Sequence, residues 1–205
     1  RYSRRREGRV VALGLDRMAL IVHVLGGGVG IGMGGRRPQA IQALVLMTTF
    51  AWPPQVGSLR TMLRVVGSGP IRGFNSATKA IFRLSAGSAG VGRHMTTEER
   101  RVFLAGFASR PARERFHDLM KSAIDDEPYL AGVEQALSAR LAHVPALTIF
   151  GEKNDPFGFQ ARFGEILDDV EEMVVDGGNH FPMADDPVGV AERIIDWHRR
   201  KVTGD

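Results

Sequence analysis

The sequence contains no cysteine. Disulfides, thiolate metal ligands and a cysteine nucleophile are therefore excluded. It also lacks any unbroken apolar run approaching the roughly 18–20 residues of a membrane span. The sequence shows no stretch with a basic end, apolar middle and small-residue cleavage site, so no leader is expected. These absences predict a soluble, cytoplasmic protein without a membrane partner. Charge of one sign is only mildly in excess, with 27 Lys+Arg against 23 Asp+Glu. The arginine-rich start, "RYSRRREGR", has neither aromatic interleaving nor a second basic patch to support it. A nucleic-acid surface needs such support, so this stretch reads as a solvated end and no nucleic acid is implied. No two histidines stand at metal-ligand spacing beside a carboxylate on one face, and no metal or other cofactor is assigned.

What the sequence does contain is a set of short apolar runs bounded by turn chemistry. Ala19–Val24, Ala43–Met47 and Ala146–Phe150 read as buried strands, and Glu171–Gly178 as a fourth with a polar edge. Between the first two lies a helix-length segment that ends in "GGRRPQA", where Pro38 acts as the stop. Strand, helix and strand at this spacing make a βαβ unit with parallel strands and a right-handed crossover. Phe159–Asp168 supplies a second crossover helix. A last amphipathic helix runs from Pro187 to Arg200, with Val190, Ile194, Ile195 and Trp197 on its apolar face. The middle of the chain is helical throughout. "MTTEERRVFLAGF" opens with Thr96 three residues before Glu99, a capping box, "PARERFHDLMKSAI" places Pro111 at a first helical position, and "EPYLAGVEQALSARL" continues the pattern. The predicted fold is an α/β parallel-sheet core, 1–53 with 145–205, carrying an inserted helical cap at 54–144.

The glycine cluster at 26–35 contains one formal dinucleotide fingerprint, Gly30-Ile31-Gly32-Met33-Gly34-Gly35. It lies too far from the strand end, and no acidic residue stands near position 55, so no nucleotide site is read there. More telling is the order of polar residues after the strands. Asp155 follows the third strand, and His180 follows the fourth in a Gly-Asn-His loop. Ligands bind at the carboxyl ends of parallel strands. An acid after one strand and a histidine after the next is the order nucleophile, acid, histidine of α/β-hydrolases. In that arrangement the carboxylate fixes the imidazole tautomer and the imidazole acts as general base. His23 reads as packing beneath the bend after the first strand. His94, His117, His143 and His198 read as surface or partly buried positions in helices or at helix ends.

Four stretches carry a family resemblance: "GLDRMALIVHVLGG" at 14–27, "RRPQAIQALVLMTTFAWP" at 36–53, "PALTIFGEKNDPFG" at 145–158 and "GGNHFPMADDPVGVAERIIDW" at 177–197. On these the chain resembles the C-terminal two thirds of α/β-hydrolases of the haloalkane dehalogenase and epoxide hydrolase group. The likeness covers nearly the whole chain and is weakest in the helical middle. The resemblance implies hydrolysis of a small apolar substrate. An Asp attacks a carbon centre to form an ester, and a water activated by the His–Asp pair then hydrolyses it, with Asp155 and His180 as that pair. It also implies earlier strands, and the His-Gly turn completing the oxyanion hole, ahead of the present start.

At two positions this chain departs from the family pattern. Val24 stands where the nucleophile would be, and Leu25 where dehalogenases place a Trp that helps to hold the leaving halide and whose backbone N–H serves the oxyanion hole. A valine cannot attack carbon or be activated by a base. Two readings follow, an impaired hydrolase or a non-catalytic protein that keeps the site to hold a small apolar ligand. Without an earlier neighbour, the strand Ala19–Val24 is also expected to present an open edge free of charge, proline or bulge, and so to favour self-association.

Overall fold

The computed structural model describes residues 7–8, 10–55, 57–87, 90 and 95–204. Most of the basic start and His94 lie outside the described residues. In chain order the elements are β1 (Met18–Val24), α1 (Gly26–Gly34), β2 (Ile41–Thr49), α2 (Gly57–Gly67), α3 (Gly69–Thr78), α4 (Ala80–Ser85), α5 (Thr97–Ala105), α6 (Arg110–Asp125), α7 (Glu127–Arg140), β3 (Ala146–Gly151), α8 (Phe159–Ile166), β4 (Val170–Val175), α9 (Pro182–Asp185) and α10 (Pro187–His198). Of the described residues, those up to Trp52 and from Tyr129 onward form one compact unit, and those from Pro53 to Pro128 form another.

The first unit is an α/β layer structure. Its strands are all parallel, in the order β1-β2-β3-β4. Val22 stands opposite Leu46, Leu46 opposite Thr148, and Thr148 opposite Glu172. Central strands covered on both faces require near-continuous apolar sequence, and β2, "IQALVLMTT", meets that requirement with only Gln42 less than buried. One face packs Leu44, Leu46, Ala146 and Phe150 against Ile31 of α1, Val133 and Leu137 of α7 and Phe163 of α8. The other packs Val45, Leu147 and Ile149 against Val190 and Trp197 of α10. Ile195, read from the sequence as part of that apolar face, is instead 51% exposed. It lies two residues before Trp197, which puts it about 200° away around the helix.

The glycines of α1 are packing residues. A Cβ at Gly30 would stand 2.5 Å from Val22 Cγ1, and one at Gly27 would stand 2.6 Å from the Phe50 carbonyl oxygen. The helix therefore lies against the sheet at a distance that only glycine permits. The formal nucleotide fingerprint falls inside this helix rather than in a turn ahead of it. Helix α7, read from the sequence with the helical middle, belongs from Tyr129 onward to the sheet unit, where Leu130, Val133 and Leu137 join the core.

The second unit is helical. The capping box is formed in full: Thr96 Oγ1 accepts from Glu99 N–H at 3.2 Å, and Glu99 Oε2 accepts from Thr96 N–H at 2.7 Å. Pro111 occupies the first turn of α6. His117 of α6, read from the sequence as surface or partly buried, is fully buried, 1% exposed. Its Nδ1 bonds the Val66 carbonyl at 2.7 Å and its Nε2 meets Asn75 Nδ2 at 2.9 Å. A carbonyl can only accept, so Nδ1 carries the proton and Nε2 accepts from the amide. Asn75 Oδ1 in turn accepts from Ile81 N–H at the start of α4. Replacing His117→Leu leaves a buried amide donor and a buried carbonyl unpaired, and should cost about 2–4 kcal/mol. Urea unfolding checks this, with the exposed neighbour Asp118→Ala changing stability by no more than about 0.5 kcal/mol as control.

Candidate active site

The bend after β1 is a strained one. Val24, its last residue, has φ of 53°, in the left-handed region where a β-branched side chain is a genuine outlier. Such a conformation costs about 1–3 kcal/mol and persists only where the surroundings over-determine it. Here they do. Leu25 follows directly at the N-cap of α1, the Thr49 hydroxyl donates to the Val24 carbonyl, and Gly27 and Gly30 hold the helix hard against the sheet. The pairing of β1 with β2 slips at this point, between His23 and Val24. The chain thus builds a sharp strand-to-helix elbow at the position predicted for a nucleophile, and sets a valine in it.

The loops after β3 and β4 are laced together. Glu152 N–H donates to the Val175 carbonyl, Lys153 N–H to the Gly178 carbonyl, and Gly177 N–H to Glu152 Oε2. The second loop is tied further on, where Asn179 N–H donates to Asp185 Oδ2 at 2.6 Å. This lacing carries His180 away from β4, at one end of the sheet, to β1 at the other. His23 Nε2 bonds the His180 carbonyl at 2.9 Å, and the two rings lie 5.3 Å apart with Phe181 against both. Val24 and Leu25 directly follow His23, so the structure brings the elbow and His180 to one place.

Asp155 is placed differently from the sequence expectation. Its two carboxylate oxygens accept from Phe159 N–H at 2.8 Å and Gln160 N–H at 2.9 Å. It thereby caps the first turn of α8, where orphan backbone donors favour an anion. The partner of His180 is the preceding residue, Asn154, whose Oδ1 lies 2.9 Å from His180 Nδ1. Burial and the neighbouring His23 push the His180 imidazole down to about 4. His23 is also lowered, by burial, against the opposing effect of its bond to the His180 carbonyl. Sequence reasoning passed over Asn154. The only available signal was its place beside Asp155 in the same post-strand loop.

The segment leaving β2, "TFAWP", anchors rather than reacts. Trp52 is 1% exposed and packs on Phe159 and Phe163 of α8 under the Arg162 guanidinium, which stands 4.4 Å from its ring centroid. Among the described residues no group of three or more His, Asp and Glu could hold a metal ion. No described helix is long and apolar enough to cross a membrane.

No family model matches the chain. A curated relative, haloalkane dehalogenase 2 of Mycobacterium tuberculosis, is 24% identical over 187 residues, 90% of this chain. The chain spans 65% of that relative's length, just under two thirds. Among solved structures, haloalkane dehalogenase DbeA from Bradyrhizobium elkani superposes with a TM-score of 0.79 at 19% identity, covering 96% of this chain and 72% of that one. Haloalkane dehalogenase DatA from Agrobacterium tumefaciens superposes with a TM-score of 0.80 at 14% identity, covering 97% and 72%. By these superpositions the chain has the α/β-hydrolase fold.

Proposed function

We propose that this chain carries the active site of a haloalkane dehalogenase-like hydrolase from which the nucleophile has been lost at Val24. The observation that carries this reading is the elbow itself. A β-branched residue is held at φ 53°, a costly conformation of the kind that clusters at active sites. In the full reaction a carboxylate oxygen at position 24 attacks the substrate carbon, the new C–O bond forms and the carbon–halogen bond breaks, with halide leaving. His180 then takes a proton from water, which adds to the ester carbonyl. Cleavage of the acyl C–O bond, with the added hydroxyl's proton passing to the departing oxygen, returns the carboxylate and releases the alcohol, and His180 gives its proton to solvent. Valine supplies no attacking atom, so the unmodified chain is read as inert toward small haloalkanes, epoxides and esters.

Val24→Asp tests the reading. Asp tolerates the left-handed region better than valine, so this variant should fold at least as well as the unmodified chain. It should release halide from a short haloalkane over repeated turnovers, and His180→Gln in the same variant should limit that release to at most one halide per chain, because halide leaves before His180 acts. A second reading, a protein that holds a small apolar ligand without turning it over, draws support from His180 being neutral and paired with an amide. A folded but inert Val24→Asp chain favours the second reading. His180-dependent turnover by the unmodified chain defeats the first.

A further inference from the structure

We infer that Asn154, not Asp155, is the residue that positions His180, holding the imidazole in its Nδ1–H tautomer with Nε2 left as the acceptor. The inference rests on the proposed hydrolase-like site and refines it. Two adjacent residues of the loop after β3 divide two tasks between them. Asp155 spends both oxygens on backbone N–H groups of α8, and a carboxylate so engaged is a helix cap. Asn154 Oδ1 stands 2.9 Å from His180 Nδ1. An amide oxygen only accepts, so His180 Nδ1 must donate, and the neutral ring then has its lone pair on Nε2. The ring has little freedom to choose another partner. Its own carbonyl is taken by His23 Nε2–H, Phe181 lies edge-on to it at 4.9 Å, and the loop is pinned by Asn179 N–H on Asp185.

The chemical consequence is specific. A carboxylate partner both orients an imidazole and stabilises its protonated form, whereas an amide does only the first. His180 is therefore oriented as a base but receives no help in keeping a proton. The titratable neighbour that acts on its protonation is His23 of β1, which opposes it, while Asp155 at the start of α8 and Asp185 of α9 each accept from backbone N–H groups.

The test measures His180 itself, independently of turnover. Deuterium exchange at the imidazole C2 position, read by peptide mass spectrometry across pH, gives the titration midpoint of each histidine in the full chain. Asn154→Asp, which preserves shape and adds the charge, should raise the His180 midpoint by about one pH unit or more. Asp155→Asn should leave that midpoint in place while lowering the melting temperature through the weakened cap. A shift of the His180 midpoint in Asp155→Asn, or no shift in Asn154→Asp, overturns the inference. Both variants are near-isosteric, and circular dichroism confirms that each is folded before titration. The hydrolase reading fails separately, if Val24→Asp stays inert while the His180 midpoint behaves as described.

Discussion

As pH falls from 6.5 to 4, the folded chain should lose about 3 kcal/mol of stability through His180 alone. In the unfolded chain this histidine titrates at its ordinary 6.5, while in the fold burial and the facing His23 hold it down to about 4. Between those values the unfolded state binds a proton that the folded state does not. Stability therefore rises with pH through this window and is lost as pH falls. Below about 4 both states carry the proton and the contribution no longer changes. His23, lowered by its burial, adds to the loss in the same direction. Glu171 also has a lowered pKa, chiefly from its hydrogen bond to Arg200. It begins to act only as pH drops through the carboxylate range, so the early part of the acid loss reports the histidines. Urea unfolding at a series of pH values from neutral down to about 4 measures the slope. His180→Gln should remove most of it above the carboxylate range, and an unchanged slope in that variant would place the acid sensitivity elsewhere. A loss of this size is a large share of the roughly 5–15 kcal/mol that holds a domain folded.

The readability of this protein varied with the scale of the feature. Strands and helices were legible because each is written in several residues at once. The run Ala43–Met47 lies within an observed strand Ile41–Thr49, and Thr96 with Glu99 defined a helix start that both side chains then bond. The position of His180 in the loop after β4 was legible for a related reason, since Gly-Asn-His after a strand is a placement and not a single letter. Asn154 was not legible, because choosing between two consecutive loop residues is a question of side-chain direction. Successive residues in a turn point different ways, and what settles the choice here is the start of α8, which claims Asp155. His117 was missed through residue type. Its spacing from Met120 and Ile124 places it on the inward stripe of α6, as the i, i+3, i+7 rule would have said. Arg113, one turn earlier on the same stripe, is also buried, with its guanidinium donating to the carbonyls of Ser76, Phe107 and Ala108. Polar residues on a buried stripe mark a satisfied network, and in a sequence they resemble surface.

The 205-residue chain should self-associate through β1, and Ile21→Lys should suppress the association. Among the described residues β1 pairs on one side only, with β2, which leaves a row of backbone donors and acceptors open on the other. Natural edges are blunted by charge, proline, bulges or a covering element. Here the register slips at Met18/Ala19 and again at His23/Val24, so the edge is irregular at both ends, contrary to the bulge-free strand read from the sequence. The centre, "ALIVH", pairs regularly and carries no charge. Ile21 sits at its midpoint, 54% exposed, where an incoming strand would cover it. A lysine there places a solvated charge in the middle of any strand-to-strand contact while leaving the inward residues Leu20 and Val22 as they are. Sedimentation velocity over a range of concentrations should show dimers or larger species for the unmodified chain, and an association weakened at least about tenfold, 1.4 kcal/mol, in Ile21→Lys. Glu172→Lys on β4, at the opposite end of the sheet order, should leave the association unchanged. If Glu172→Lys disperses the assembly and Ile21→Lys does not, the contact runs through β4. A clean monomer at every concentration would mean that the two slipped ends of β1 are enough to protect its centre.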